Sequence, residues 1–182
     1  NAATTTLTDT TGTIAFSGAL TTGTLNTAAQ TYNVAINGGA TVTNAATFSN
    51  TGTLTLGNAA ADVLLFNGGL TATAPAVTLN GTVRTSADAI SLGSATKAVT
   101  LAGTTSVLDT TNNGGSAAGN SITVDGAVDG TANNAQSLTL NGGTAGAISF
   151  TANAVVGGTA NKPATLTVTN SNGATFTGAV ST

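Results

Sequence analysis

Histidine, cysteine, methionine, tryptophan and glutamate are all missing from this 182-residue chain. Without histidine the usual proton carrier near neutral pH is gone. Without cysteine there is neither a thiolate nucleophile nor a disulfide to indicate a redox compartment. The same absences remove the side chains that normally hold transition metals. Charge is almost as scarce, at 5% of residues: Lys97, Lys162, Arg84 and six aspartates. Ordinary globular chains carry roughly a quarter. With a net charge of −3 there is no basic patch to displace counterions from phosphates, which argues against nucleic acid as a partner. No apolar run approaches the ~20 residues that a membrane-spanning helix needs. The start shows no basic segment followed by an apolar one. Beginning at Asn1, the chain reads as a processed product or an excerpt of something longer.

What is present is threonine, 41 residues of it, with 24 glycines. Threonine, valine and isoleucine favour strands, because branching at Cβ stiffens the side chain and suits a pleated surface. The residues that favour exposed helices, glutamate and lysine above all, are nearly gone. Disorder is excluded by hydrophobicity, since 40% of residues are hydrophobic and net charge is low. The expected fold class is therefore all-β. Its core must be built from Val, Leu, Ile and Ala, because only five Phe and one Tyr are available.

One phrase recurs along the chain: VAINGG at 34–39, LLFNGG at 64–69, VTLNGT at 77–82, ITVDGA at 122–127 and SLTLNGG at 137–143. Following the second apolar residue of the recurring strand gives Phe16, Ile36, Leu56, Leu79, Leu101, Val124, Phe150 and Phe176. These lie ~20–26 residues apart, the period of a solenoid repeat. A fainter series runs through Val42, Leu64 to Phe66, Ile90 to Leu92, Leu138 to Leu140 and Leu166 to Val168, with a missing member expected at Val107–Leu108. Each period thus holds at least two strands. Apolar residues two apart, such as Val34 and Ile36, point to one face while Thr, Ala or Ser points to the other. Turns are expected at Asn37-Gly38, Asn67-Gly68, Asn80-Gly81, Asp125-Gly126 and Asn141-Gly142, where such pairs supply positive φ.

Asn-Gly between strands is also a hairpin signal, so an Ig-like β-sandwich is the competing architecture. The period favours a coil, because similar strands recurring once per circuit stack in register and bury small side chains in continuous columns. A sandwich more often uses larger aromatics to fill the space between sheets. The expected fold is a parallel β-helix of about eight coils, ~4.8 Å apart and on the order of 40 Å long. It forms a single segment over residues 1–182, part of a longer stack, with the polar TTNNGGSAAGN stretch at 110–120 as a protruding loop.

ITVDGAVDG at 122–130, SLTLNGGTAGAISF at 137–150 and ATLTVTNSNGATFTGAV at 164–180 resemble the strand-rich repeats of giant bacterial surface proteins. These are the filamentous-haemagglutinin-like adhesins and autotransporter passenger stalks. The resemblance covers most of the chain and is clearest over 119–180. It implies a right-handed parallel β-helix at the surface of a bacterium with an outer membrane. The amino-terminal secretion motif of such adhesins and a membrane-barrel domain are not visible here.

The chemistry offered is thin. Asp125 and Asp129 in VDGAVDG are the best carboxylate pair. Each precedes a glycine, as turn formers do, and they are also a weak Ca²⁺ candidate. The Gly-Gly-x-Gly-x-Asp spacing of calcium-binding β-rolls is absent, and 112–115 (NNGG) lacks the following Asp. Asp62 and Arg84 lie about one coil apart, close enough in register to stack as a surface ion pair, while solvated side chains explain both residues equally well. TGTLTLG at 51–57 and TLTVTN at 165–170 raise the idea of flat ice-binding hydroxyl rows, but Thr as the polar strand former on an outward face is the preferred reading, because Thr positions drift between coils. O-linked glycosylation has no locating motif. No cofactor is expected.

Solenoids usually end in atypical capping coils, because an open end exposes unpaired backbone and core. Neither 1–11 nor 174–182 reads as a cap, so copies of the chain or adjoining repeats are expected to continue the stack. The expected function is mechanical and non-enzymatic: an extracellular stalk of a bacterial surface adhesin, or a self-assembling filament subunit. An adhesive module for surface glycans or a surface-layer component is the alternative. Partner contact, if any, is expected at the 110–120 loop.

Overall fold

A computed structural model describes residues 2–158 and 161–182; Asn1, Thr159 and Ala160 lie outside the described residues. The described residues form 18 strands and no helix. All strand-to-strand pairing is parallel, and the chain winds as a β-solenoid of about seven turns, where the spacing predicts about eight. The sandwich alternative is excluded, since its hairpins would require antiparallel neighbours.

The pairings resolve into three ladders, so each turn contributes three strand segments rather than two. In the first sheet, Ile14, Val34, Leu54, Val77, Val99, Val128, Val156 and Val180 lie in register, one per turn. In the second, Leu20, Ala40, Leu64, Val83, Leu108, Leu140 and Val168 do the same. In the third, Ala46, Leu70, Ile90, Ile122, Ile148 and Ala174 are stacked. These rows point inward, and away from the two end turns they are almost completely buried. Parallel in-register stacking places like upon like, which is why small branched side chains suffice. At ~25 cal/mol per Å² of apolar surface, no single turn is stable alone, and each is held by its neighbours.

The single ladder drawn from the sequence splits in two. Phe16, Ile36, Leu56, Leu79 and Leu101 are in register in the first sheet. Val124, Phe150 and Phe176 belong to the third, above Leu92 and Ala72. The first-sheet partner above Leu101 is Gly130. The space that a side chain there would fill is taken by buried Gln136, whose Oε1 crowds the place of a Cβ on Gly130. The step of 23 residues to Val124 falls short of a full circuit because the 110–120 loop lengthens this turn. In the fainter series, Val107 and Leu108 do pair with Thr139 and Leu140 of the second sheet, as expected. Ile90 to Leu92 lie in the third.

The Asn-Gly pairs act differently from expectation. In VAINGG the residue with positive φ is Gly39 (81°), one past the pair. Gly38 is needed for another reason: a Cβ there would sit 2.6 Å from the backbone of Ser17 and Gly18 in the turn below. One glycine permits close stacking and the next permits the bend. Gly69 and Gly143 repeat the pattern after Asn67-Gly68 and Asn141-Gly142. Asn80 and Gly81 lie inside the strand Ala76–Arg84, which rounds a corner without leaving extended structure, and Gly81 carries the positive φ itself. Asp125 follows the strand Ile122–Val124, and Gly126 has no positive φ; the Lys97 carbonyl presses against it and leaves no room for a Cβ.

Corners carry the polar interior. The Tyr32 hydroxyl, fully buried, donates to the Leu7 carbonyl at 3.0 Å, and burial pushes its pKa up. Asn50 donates through Nδ2 to the carbonyls of Tyr32 and Thr53, each at 3.1 Å. Lys97 Nζ donates to the Thr51 carbonyl at 2.8 Å, tying a corner to one two turns away.

Candidate functional site

The second sheet presents the most varied outer face. Alternation in Ala76–Arg84 turns Val83 inward and Thr82 and Arg84 outward. The register then sets Arg84 beside Asp109, Asp109 beside Asn141, and Thr82 beside Val107, with Thr139 next. Along this face runs a groove of about 510 Å³, floored by these side chains, reaching Thr169 on the next turn and walled by Asn113 and Gly114 of the 110–120 loop.

The ion pair at its floor joins Arg84 Nε to Asp109 Oδ2 at 3.6 Å. Arg84 is therefore not paired with Asp62, which the sequence spacing matched to it. The register puts Leu65 beside Arg84 and Val63 beside Thr82, leaving Asp62 at the start of its strand. There Asp62 Oδ2 accepts the backbone N–H groups of Asn58 and Ala59 at 2.8 and 2.9 Å, closing a local turn.

Asp109 also organises the loop. Its Oδ1 accepts from the Thr111 backbone N–H at 2.9 Å and the Thr111 hydroxyl at 2.6 Å, and Oδ2 accepts the Asn113 N–H at 2.7 Å. Thr111 Oγ1 in turn accepts from Gly114 N–H and from Asn141 Nδ2. At the far end of the loop, the Asn120 N–H donates to Thr110 Oγ1 at 2.9 Å. Asn112, Asn113 and Gly114 all have positive φ, of 50°, 59° and 86°. Residues 112–120 lie outside the strands, and these hydrogen bonds hold the two ends of the stretch. Arg84 holds the opposite balance: its Nε is buried without a hydrogen bond, and Nη2 reaches only Asn113 Oδ1 at 3.5 Å. The carboxylate is satisfied by the loop, and the guanidinium is not.

The remaining candidates lie apart from this groove. Asp125 sits at a corner after the third sheet, and Asp129 in the first-sheet strand Val128–Gly130, beside Thr100. The Asp125 carboxylate accepts from the Thr151 hydroxyl and from Asn153 Nδ2, and those hydrogen bonds hold its pKa below the usual carboxylate range. Among the described residues no group of three or more acidic side chains could hold a metal ion. Lys162 engages Asn133 and Asn134 through its backbone.

The two Thr-x-Thr stretches face different sides, Thr53 and Thr55 on the first sheet and 165–170 on the second. They form no common plane, and the first-sheet rows run into Ala35 and Ala76. A regular hydroxyl file exists elsewhere, unforeseen from sequence. Thr47, Thr71, Ser91, Thr123, Ser149 and Thr175 stand in register down the third sheet. Its signal is the middle residue of successive three-residue strands: LTA, ISL, ITV, ISF, ATF.

Among the described residues no helix is long and apolar enough to cross a membrane. Comparison with protein-family models, with curated proteins and with solved structures finds no match for this chain.

Proposed function

We propose that this solenoid is a load-bearing spacer, a stalk or fibre module outside a bacterial cell, with no catalytic role. The observation that carries this reading is the uniform winding: three inward rows are stacked in register from turn to turn, each turn held by its neighbours. Strands 165–170 and 174–176 each have one paired neighbour and one free edge. A further turn of the same design would pair with them in the same way. The strand-rich texture shared with filamentous-haemagglutinin-like and autotransporter stalks supports the same reading.

The test is electron microscopy with small-angle scattering of the purified native protein and of a tandem duplicate. Rods of constant width whose length grows with copy number are expected. Single compact particles, with the duplicate appearing as two beads on a tether, would overturn the proposal.

A further inference from the structure

We infer that the groove beside the 110–120 loop is a binding site for a carboxylate-bearing saccharide. This goes beyond the spacer role and does not depend on it. The groove is concave, and side chains of successive turns line it. Its lining holds donors: the Arg84 guanidinium, the hydroxyls of Thr82 and Thr139, and the Asn113 amide, while the Thr169 hydroxyl donates to the Leu140 carbonyl. Asp109 offers little to a ligand, since three donors of its own loop already occupy it and its side chain is 6% exposed. Arg84 is 24% exposed; its Nε is buried against Asp109, so what it can offer a ligand is the terminal Nη groups, of which Nη2 makes only a 3.5 Å contact to Asn113 Oδ1. A planar guanidinium fork with spare donors matches a carboxylate in two-point geometry.

The rest of the lining selects the ligand body. Val107 is the one apolar side chain among the lining residues, so an apolar peptide anchor finds no pocket. The strands under most of the groove, 76–84, 99–109 and 137–141, are paired on both sides, so an added peptide strand finds no edge within it; the free edge lies beyond Thr169 at its far end. Hydroxyl and amide groups repeat at the ~4.8 Å spacing of stacked strands, which suits an extended polyhydroxyl chain. The groove holds a single cation, Arg84, already paired through Nε with Asp109, which is too little positive charge for a polyphosphate and suits at most an isolated carboxylate. Three consecutive left-handed residues hold the wall in place, a conformation that non-glycine residues adopt at a cost and that recurs at ligand clamps.

The test is a ¹⁵N-resolved NMR titration of the full chain with tetramers of galacturonate, glucuronate and mannuronate, and with their neutral hexose counterparts. At least one uronate is expected to shift the amides of residues 82–84, 107–114 and 139–141, weakening as salt is raised. Arg84→Gln should weaken that binding by about tenfold or more. Asn113→Gly, which suits the positive φ and leaves the ion pair untouched, should weaken it severalfold. Lys162→Gln, away from the groove, should leave it unchanged. No shifts with any uronate at about 10 mM, shifts mapping elsewhere, equal binding of neutral tetramers, or unchanged binding in both groove variants would each overturn the inference.

Discussion

The outer faces of the second and third sheets were built by the same winding and look nothing alike. The third sheet offers one outward residue per turn, always Ser or Thr in the run from Thr47 to Thr175. The second offers Arg84, Asp109 and Asn141 in a comparable run, and grows a loop between two of its turns. Behind both faces the inward rows are equally buried. In a solenoid the interior is fixed by what stands above and below, while the exterior residue at each turn is set by little beyond its tolerance of extended backbone. The third sheet shows that tolerance left unused; the second shows what it permits.

The comparison can be broken most forcefully from inside. Phe150, fully buried in the third sheet, stacks on Phe176 with ring centroids 4.9 Å apart. Phe150→Ala should cost about 3–5 kcal/mol in chemical denaturation. A loss below about 1 kcal/mol would mean that the interior row is not a packed core. Next in size is Asp109→Ala on the second sheet. It strands the three loop donors and Arg84, and should cost about 1–3 kcal/mol with faster proteolysis within 110–120. An unaltered cleavage pattern would show that the loop stands without it.

A smaller effect is expected at the half-buried Asp125. Its pKa is depressed by Thr151 and Asn153. It therefore adds stability that is present above the unfolded-state value and is lost as pH falls through the folded one. Asp125→Asn should narrow the stability difference between neutral and acid pH. Identical pH profiles for the two proteins would show that these hydrogen bonds contribute nothing. Smallest of all is Thr123→Val in the hydroxyl file, expected to change stability by no more than about 0.5 kcal/mol. A larger loss would show that the third-sheet exterior is structural after all.

Much of the fold was legible because period-two alternation is a local signal. Val34 and Ile36 had to face one side, and any in-register stack of such strands buries them. The loop was legible too, since TTNNGGSAAGN has no apolar alternation. What misled was the assumption of one offset per turn. Leu79 meets Leu101, an offset of 22, but two positions on, Gly81 meets Ser106, an offset of 25, because the upper chain takes three extra residues around its corner. Arg84 therefore meets Asp109; on the turn below the offset falls from 23 at Leu79 and Leu56 to 19 at Thr82 and Val63, so Asp62, 22 residues before Arg84, lands out of line. The groove depends on that corner and on the loop's left-handed turn, which no spacing rule contains. The third-sheet hydroxyls were written plainly enough, but they become a file only when the sheets are counted correctly.

Because strands lie across the long axis, their inter-turn hydrogen bonds run along it. A pull on the two ends of the molecule therefore peels one turn at a time instead of shearing a whole sheet. The turn from Ile14 to Val34 rises only ~4.8 Å in the stack but would stretch to roughly 70 Å once detached. Under tension such a stack would open in instalments, each detached turn adding its own length of slack.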